Sequence, residues 1–429
     1  MIQRIALLSI ACLASISAGV ADDAHRPNFL IILADDVGRD AVGCYGGQSY
    51  PTPHIDALAE TGLRFDHGYV MPSCHPTRIT LLSGKYPFRT GHARWGSYPS
   101  DEENRTFAAR LREAGYATAV AGKWQLSLLT KNPDQPHRMG FDEYCLFGWH
   151  EGPRYWQPML IQNGTIRDDV ADRYGPDVYV EFLTEFIENH REVPFLAYYP
   201  MALCHDVTDD LDEPVPYGPG KDRYEDYAEM MREMDERVGQ IVAVLDRLDL
   251  REDTMILFLG DNGTPARSII RAEDGKYIRE PVYSETTWGR VQGGKTQLTD
   301  SGTRVPWIVN WPGHVEAGGV TDALVDASDL LPTLLELAGV DLEDSGAIDG
   351  QSFARTLTDP THSARDWVFA EARGKSWVAD QRWKLYTDGR LFDRNADPLE
   401  KAPVKNPSSP EAQDAIARLR SIHKSLDRK

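Results

Sequence analysis

NFLIILADD (Asn28 to Asp36), VPFLAYYP (Val193 to Pro200) and TMILFLGDNG (Thr254 to Gly263) read as buried strands. Helical patterns lie between them: TPHIDALAETG (Thr52 to Gly62), closed by its glycine, and a long amphipathic stretch between Tyr224 and Leu250. TFAARLREAGYATAVAGKW (Thr106 to Trp124) is helix, glycine stop and strand in succession, and VDASDLLPTLLELAG (Val325 to Gly339) reads as one further helix. Short apolar runs alternating with amphipathic helices predict an α/β fold, a large, mixed and mostly parallel sheet sandwiched by helices. After about Ser345 the texture changes to short alternating strands, as in WVFAEARGKSWVADQRWKLYTDGRLFD (Trp367 to Asp393), which predicts a small C-terminal antiparallel sheet. A charged helix from Pro410 to Leu426 closes the chain.

With 429 residues, 41% of them hydrophobic and 26% charged, the chain has the make-up of a soluble globular protein with a large core. A formal charge of -20 argues against a nucleic-acid partner, because binding a phosphate backbone takes clustered Lys and Arg. An anionic ligand must therefore be met by local cations. MIQRIALLSIACLASISAGVA, residues 1–21, has the early arginine, short apolar stretch and small-residue ending of a secretory signal peptide, which predicts a secreted or periplasmic product without a membrane span. Residues 26–344 are expected to form the main α/β domain and 345–429 the C-terminal subdomain. Cys44, Cys74, Cys145 and Cys204 are too few for a disulfide framework, although one pair among them has the means to bridge.

Ligands of open α/β sheets collect beyond the carboxyl ends of the strands. One strand here runs into Asp35 and Asp36, and another runs through Gly260 into Asp261 and Asn262. Either end alone suits a turn or a helix cap. Together they gather three carboxylates and an amide, which repel unless a cation sits among them. Oxygen ligands of this kind favour calcium or magnesium over zinc.

MPSCHPTRITLLSGKYPFRTG (Met71 to Gly91) sets Cys74 two residues before Pro76, which suits a first helical turn, and one helical turn before Arg78. A packed thiol with a solvated arginine and a reactive thiol beside fixed charge are both compatible with that pattern. Cys74-His75-Pro76-Thr77-Arg78, followed by Leu82-Ser83-Gly84-Lys85, resembles the signature of the type I sulfatases, the formylglycine-dependent members of the alkaline phosphatase superfamily. GYATAVAGKWQL (Gly115 to Leu126), Asp261-Asn262-Gly263, GGKTQLTDSGTRVP (Gly293 to Pro306) and LFDRNADPLE (Leu391 to Glu400) are similar to further landmarks of that family, in its order.

The resemblance implies that Cys74 is oxidised to Cα-formylglycine (3-oxoalanine) by a formylglycine-generating or equivalent maturation enzyme. The hydrated aldehyde attacks sulfur and then expels sulfate. It implies a calcium site formed by Asp35, Asp36, Asp261 and Asn262 with residue 74, magnesium being possible. It further implies that Arg78 holds the formylglycine, that Lys123 and Lys295 grip the sulfate, and that His205 protonates the leaving alcohol. Gln125 departs from the histidine usual after Gly-Lys-Trp, and glutamine cannot serve as a base near neutral pH. His75 is a candidate to replace it, and Asp300 stands where many members carry glutamate.

FGWHEGPRYWQP (Phe147 to Pro158) offers aromatic faces with His150 and Arg154, a combination that suits a sugar ring or a packed loop. The expected activity is sulfuric ester hydrolysis on a sulfated carbohydrate, as in secreted bacterial polysaccharide and aryl sulfatases. The rival readings are a phosphonate or phosphate ester hydrolase of the same superfamily and a catalytically silent sulfoglycan-binding protein, the latter raised by Gln125.

Overall fold

The computed structural model describes residues 26–148, 150–206, 226–342 and 346–426. The leader expected at residues 1–21 lies outside them. The strands are β1 Asn28–Ala34, β2 Leu63–Tyr69, β3 Ala117–Lys123, β4 Glu143–Phe147, β5 Ile161–Gln162, β6 Thr165–Ile166, β7 Phe195–Pro200 and β8 Thr254–Gly260. Two hairpins follow, β9 Arg267–Glu273 with β10 Lys276–Pro281 and β11 Tyr283–Thr286 with β12 Gly289–Gln292. Then come β13 Trp307–Asn310, β14 Gly319–Asp326, β15 Val368–Ala372, β16 Lys375–Ala379, β17 Trp383–Tyr386 and β18 Leu391–Asp393.

Ten strands form the main sheet in the order β14-β2-β13-β8-β1-β7-β3-β4-β5-β6. The centre is parallel, β1 pairing with β7 and β8 and β3 with β7 and β4, while β13 runs antiparallel to both its neighbours. Every residue of β1 is buried because the sheet is covered on both faces. Leu30, Ile32 and Ala34 pack with residues of the Gly175–His190 and Tyr227–Arg247 helices. Phe29, Ile31 and Leu33 turn the other way, into a core shared with the Cys74–Ser83, Phe107–Glu113 and Leu330–Leu337 helices. Each fully buried side chain of this size is worth roughly 1.5–3 kcal/mol, so a charged residue anywhere on β1 would break the fold. Among the described residues no helix is long and apolar enough to cross a membrane.

The expected mixed, mostly parallel sheet is present, and so is the small antiparallel one, in the order β15-β16-β17-β18. The C-terminal helix spans Pro410–Leu426 and packs with that sheet. The stretch Val325 to Gly339 is not one helix. Val325 and Asp326 end β14, and Asp326 and Asp329 then form a reciprocal capping box that starts the turn before the helix Leu330–Leu337. Neither β2, whose sequence LRFDHGY mixes polar and apolar residues, nor the two hairpins announce themselves as apolar runs. Cys44, Cys74, Cys145 and Cys204 carry no disulfide.

Candidate active site

The carboxyl edge of the central strands gathers nearly all the residues singled out above. Parallel register sets Ala34 beside Gly260 and Leu33 beside Pro200, so the segments leaving β1, β8 and β7 emerge together. Asp35 and Asp36 leave β1, Asp261 and Asn262 leave β8, Lys123 ends β3, and His205 follows β7. Backbone bonds lock these exits. Asp261 N–H donates to the Ala34 carbonyl at 2.9 Å, and Asp35 exchanges bonds with the 203–204 segment at 2.9 and 2.6 Å. Gly122 admits this approach, since a Cβ there would lie 2.1 Å from the Pro200 carbonyl oxygen and its φ is +125°.

Cys74 is fully buried at the first position of the Cys74–Ser83 helix, whose N-cap Ser73 supplies no side-chain cap. Arg78, one turn on, donates from Nε and Nη2 to Asp261 Oδ2 at 3.1 and 2.8 Å, and from Nη1 to the Lys123 carbonyl at 3.1 Å. The Lys123 ammonium meets Asp35 at 2.5 Å, and that of Lys295 meets Asp36 at 2.6 Å. Asn262 Nδ2 donates to Asp36 at 2.8 Å, and Tyr227 O–H donates to the Asp36 carbonyl at 2.7 Å. Asp36, Gln125 and Thr296 hold left-handed backbone, with φ of 63°, 61° and 72°. Non-glycine residues in that region store roughly 1–3 kcal/mol each and are retained where surrounding structure fixes them.

Three buried carboxylates thus face three cations. Burial pushes Asp261 up to about 7, with the neighbouring Asp35 charge adding to the rise. Burial would also raise Asp35, but Lys123 above all, with Arg78 and Lys295, holds it well below the usual carboxylate range. Burial drives His205 far down, reinforced by Lys295 and Lys123, and so keeps the imidazole neutral.

Some oxygens here lack donors. Asp35 Oδ1 and Asn262 Oδ1 are buried without a hydrogen-bond partner, and ligand atoms of Asp35, Cys74 and Asp261 lie within 4.8 Å of one another. Donorless buried oxygens are what a hard divalent cation takes, so this cluster fits calcium. Both amide atoms of Gln125, itself fully buried, are likewise unpartnered.

The outer residues divide. His205 stands with Nδ1 at 2.5 Å from the Asp206 carbonyl and 3.4 Å from Arg154 Nη1, and Arg154 is almost fully buried over the Phe147 ring. His150 is exposed on the surface. His75 directs Nε2 to the Ser97 carbonyl at 2.7 Å and packs against Trp95, engaged with the 91–99 loop. Sequence reasoning took Tyr155 only as one of the aromatic faces of the 147–158 stretch, whereas its hydroxyl donates to the Ala202 and His205 carbonyls at 2.8 Å each. It gave no role to Tyr227, a tyrosine in a helical stretch that carries no signal that would have found it.

A helix-covered α/β sheet whose carboxyl edge holds acids, lysines and a buried cysteine at a helix start is the frame of an enzyme that hydrolyses anionic esters. The chain belongs to the sulfatase family: the profile described as Sulfatase matches residues 27–340, and that described as N-sulphoglucosamine sulphohydrolase, C-terminal, matches residues 294–427. It is a sulfuric ester hydrolase. Human N-acetylgalactosamine-6-sulfatase is 27% identical, with 94% of this chain and 86% of the relative covered. Human arylsulfatase A is 30% identical, over 90% of this chain and 80% of the relative. Among solved structures, Ps i-CgsB in complex with k-i-k-neocarrahexaose superposes with a TM-score of 0.72 at 25% identity, covering 92% of both chains.

Proposed function

We propose that this sulfatase removes sulfate from a sulfated carbohydrate, using Cys74 converted to formylglycine and a calcium ion held by Asp35, Asp36, Asp261 and Asn262. The observation that carries the reading is the burial of Cys74 at a helix start, with its sulfur grouped within 4.8 Å of carboxylate oxygens of Asp35 and Asp261. The formylglycine hydrate and the ion would supply an acidified hydroxyl nucleophile and a Lewis acid for a sulfate oxygen.

The chain's own residues do the rest. Arg78 fixes Asp261 by a two-nitrogen contact and orients the ligand face toward residue 74. Lys123 and Lys295, at 2.5 and 2.6 Å from Asp35 and Asp36, stand where they can turn to the non-bridging oxygens of an arriving sulfate. His205, neutral beside Lys295 and Lys123 and with Nδ1 oriented by the Asp206 carbonyl, would take up a proton once the anionic ester offsets those two charges and pass it to the departing alcohol oxygen. Gln125 positions the hydroxyl pair by hydrogen bonds without accepting its proton. Arg154, beside His205, and His150 are assigned to the sugar.

A glycan is favoured because relatives across nearly the whole chain include an N-acetylgalactosamine-6-sulfatase and a structure bound to neocarrahexaose. The leader sequence at residues 1–21 supports export, the catalytic unit is assigned to 26–344 and the flanking unit to 345–429, and a cellular maturation enzyme converts Cys74. The test is sulfate release, by ion chromatography, from sulfated oligosaccharides set beside 4-nitrophenyl sulfate and a 4-nitrophenyl phosphate diester. Preferred turnover of the phosphorus ester would overturn the reading.

A further inference from the structure

Between the β11–β12 hairpin, the 297–304 segment and the 398–401 turn lies a cavity of about 470 Å³ that none of the residues above accounts for. Arg39, Trp288, Arg290, Gln297, Arg304 and Lys401 are among its lining side chains. Two of these cations are spent locally. Arg290 pairs with Glu285 at 3.3 Å, and Arg304 donates to the Asp66 carbonyl while lying 3.6 Å from Asp300. Arg39 is different: its Nε is buried with no hydrogen-bond partner, and no carboxylate lies within ion-pairing distance of it among the described residues. Its guanidinium rests 4.8 Å from the Trp288 ring centre and 5.7 Å from that of Tyr45. The acids in the wall are committed elsewhere, Asp40 to Ser284 and Thr264 at 2.6 and 3.0 Å, and Asp300 to Lys384. A half-buried arginine stacked on tryptophan, its donors unspent in a chain of charge -20, is a place prepared for an anion.

We propose that this cavity is a second saccharide site, which takes an anionic sugar unit by its sulfate or carboxylate on Arg39 and its ring on Trp288. The inference rests on the glycan reading above and adds where a neighbouring part of the polymer is held. Gln297, in its wall, follows two residues after Lys295, whose ammonium faces Asp36, so one short loop serves both places. Thr299 and Ser301, also in the wall, offer hydroxyls to the sugar.

The experiment titrates Cys74→Ala protein calorimetrically with hexasaccharides prepared from iota-carrageenan and from chondroitin 6-sulfate, in parallel with Arg39→Gln and Trp288→Ala versions of it. Trp288 is on a surface hairpin, so its removal keeps the test valid should Arg39→Gln not fold. At least one hexasaccharide is expected to bind, and each variant to weaken it about tenfold, the scale of one charge-assisted hydrogen bond. In otherwise wild-type enzyme, the same substitutions should raise KM for that hexasaccharide similarly while leaving kcat/KM for 4-nitrophenyl sulfate unchanged. Equal affinities in parent and variants, equal loss on the small ester, or no binding of either hexasaccharide would overturn the site. Hydrolysis of a hexasaccharide unaffected by the variants would leave the glycan reading standing without the site. Arg39-dependent binding without sulfate release would do the reverse.

Discussion

Lys384, fully buried on β17, places its ammonium on the carboxylate of Asp300, five residues after Lys295. Glu400 joins them at 2.5 Å from Lys384, and it also accepts the Asp300 N–H at 2.8 Å. Trp377 Nε1 and the Tyr386 hydroxyl both donate to the Leu298 carbonyl, at 2.7 and 2.9 Å. The small C-terminal sheet therefore grips the loop that presents a site lysine, and its function is legible as support for that loop.

Removing Lys384 should expose what the grip is worth. Lys384→Met takes from Glu400 its buried cation and from Asp300 the nearest of its cations, leaving Asp300 only the longer contacts to Arg304 and Arg394 at 3.6 and 3.7 Å, and loss of one partner of a buried pair costs about 3–5 kcal/mol. Urea unfolding of wild type and variant measures it directly. A loss under about 1 kcal/mol would show that the pair is not desolvated as described.

Gln125 should separate activity from stability. Its amide is already buried and unpartnered, so Gln125→Leu, of similar volume, is expected to leave the melting temperature unchanged or raised. Turnover of 4-nitrophenyl sulfate should nevertheless fall by about 10–100-fold, the cost of one hydrogen bond made in the transition state. Unimpaired turnover would remove Gln125 from the machinery.

Much of this site was legible before any fold was known. Asp35, Asp36, Asp261 and Asn262 could be read because each pair terminates an apolar run, and a parallel sheet delivers such ends to one edge. Lys123 and Arg78 were legible as members of motifs, but the contact that joins Arg78 to Asp261 spans 183 residues and has no local signature. Lys384 was invisible for a similar reason. In an alternating segment a lysine reads as solvated, and only the loop folding over it reveals an acid-lined hole. The cavity around Arg39 is assembled from three segments distant in sequence, and no periodicity encodes that.

Calcium should stabilise the fold as well as serve the reaction. Melting after exhaustive chelation, with and without calcium added back, is expected to show a gain of about 2.7 kcal/mol at 100 times the dissociation constant. Asp261→Asn should abolish that response, because it removes a ligand charge from the cluster. Superimposable melts from protein shown by metal analysis to start calcium-free would contradict the site.

His67 sets a pH dependence away from the catalytic cluster. Burial, aided by Arg304 and Arg394, pushes its imidazole down to about 2 from an ordinary 6.5. Below pH 6.5 the unfolded chain takes up a proton that the folded one refuses, so this contribution to stability is lost as pH falls from about 6.5. The slope from one such group is at most about 1.4 kcal/mol per pH unit. His67→Gln should flatten the stability profile between pH 6.5 and 4.5 relative to wild type, measured by urea unfolding, whereas parallel profiles would show that His67 is not held neutral.

The most direct test is the mass of the peptide spanning Cys74 in preparations of graded specific activity. Conversion of cysteine to formylglycine exchanges sulfur and two hydrogens for oxygen, making that peptide about 18 Da lighter. The lighter fraction is expected to rise in proportion to sulfate-releasing activity. A fully active preparation in which residue 74 keeps the mass of cysteine would contradict the account.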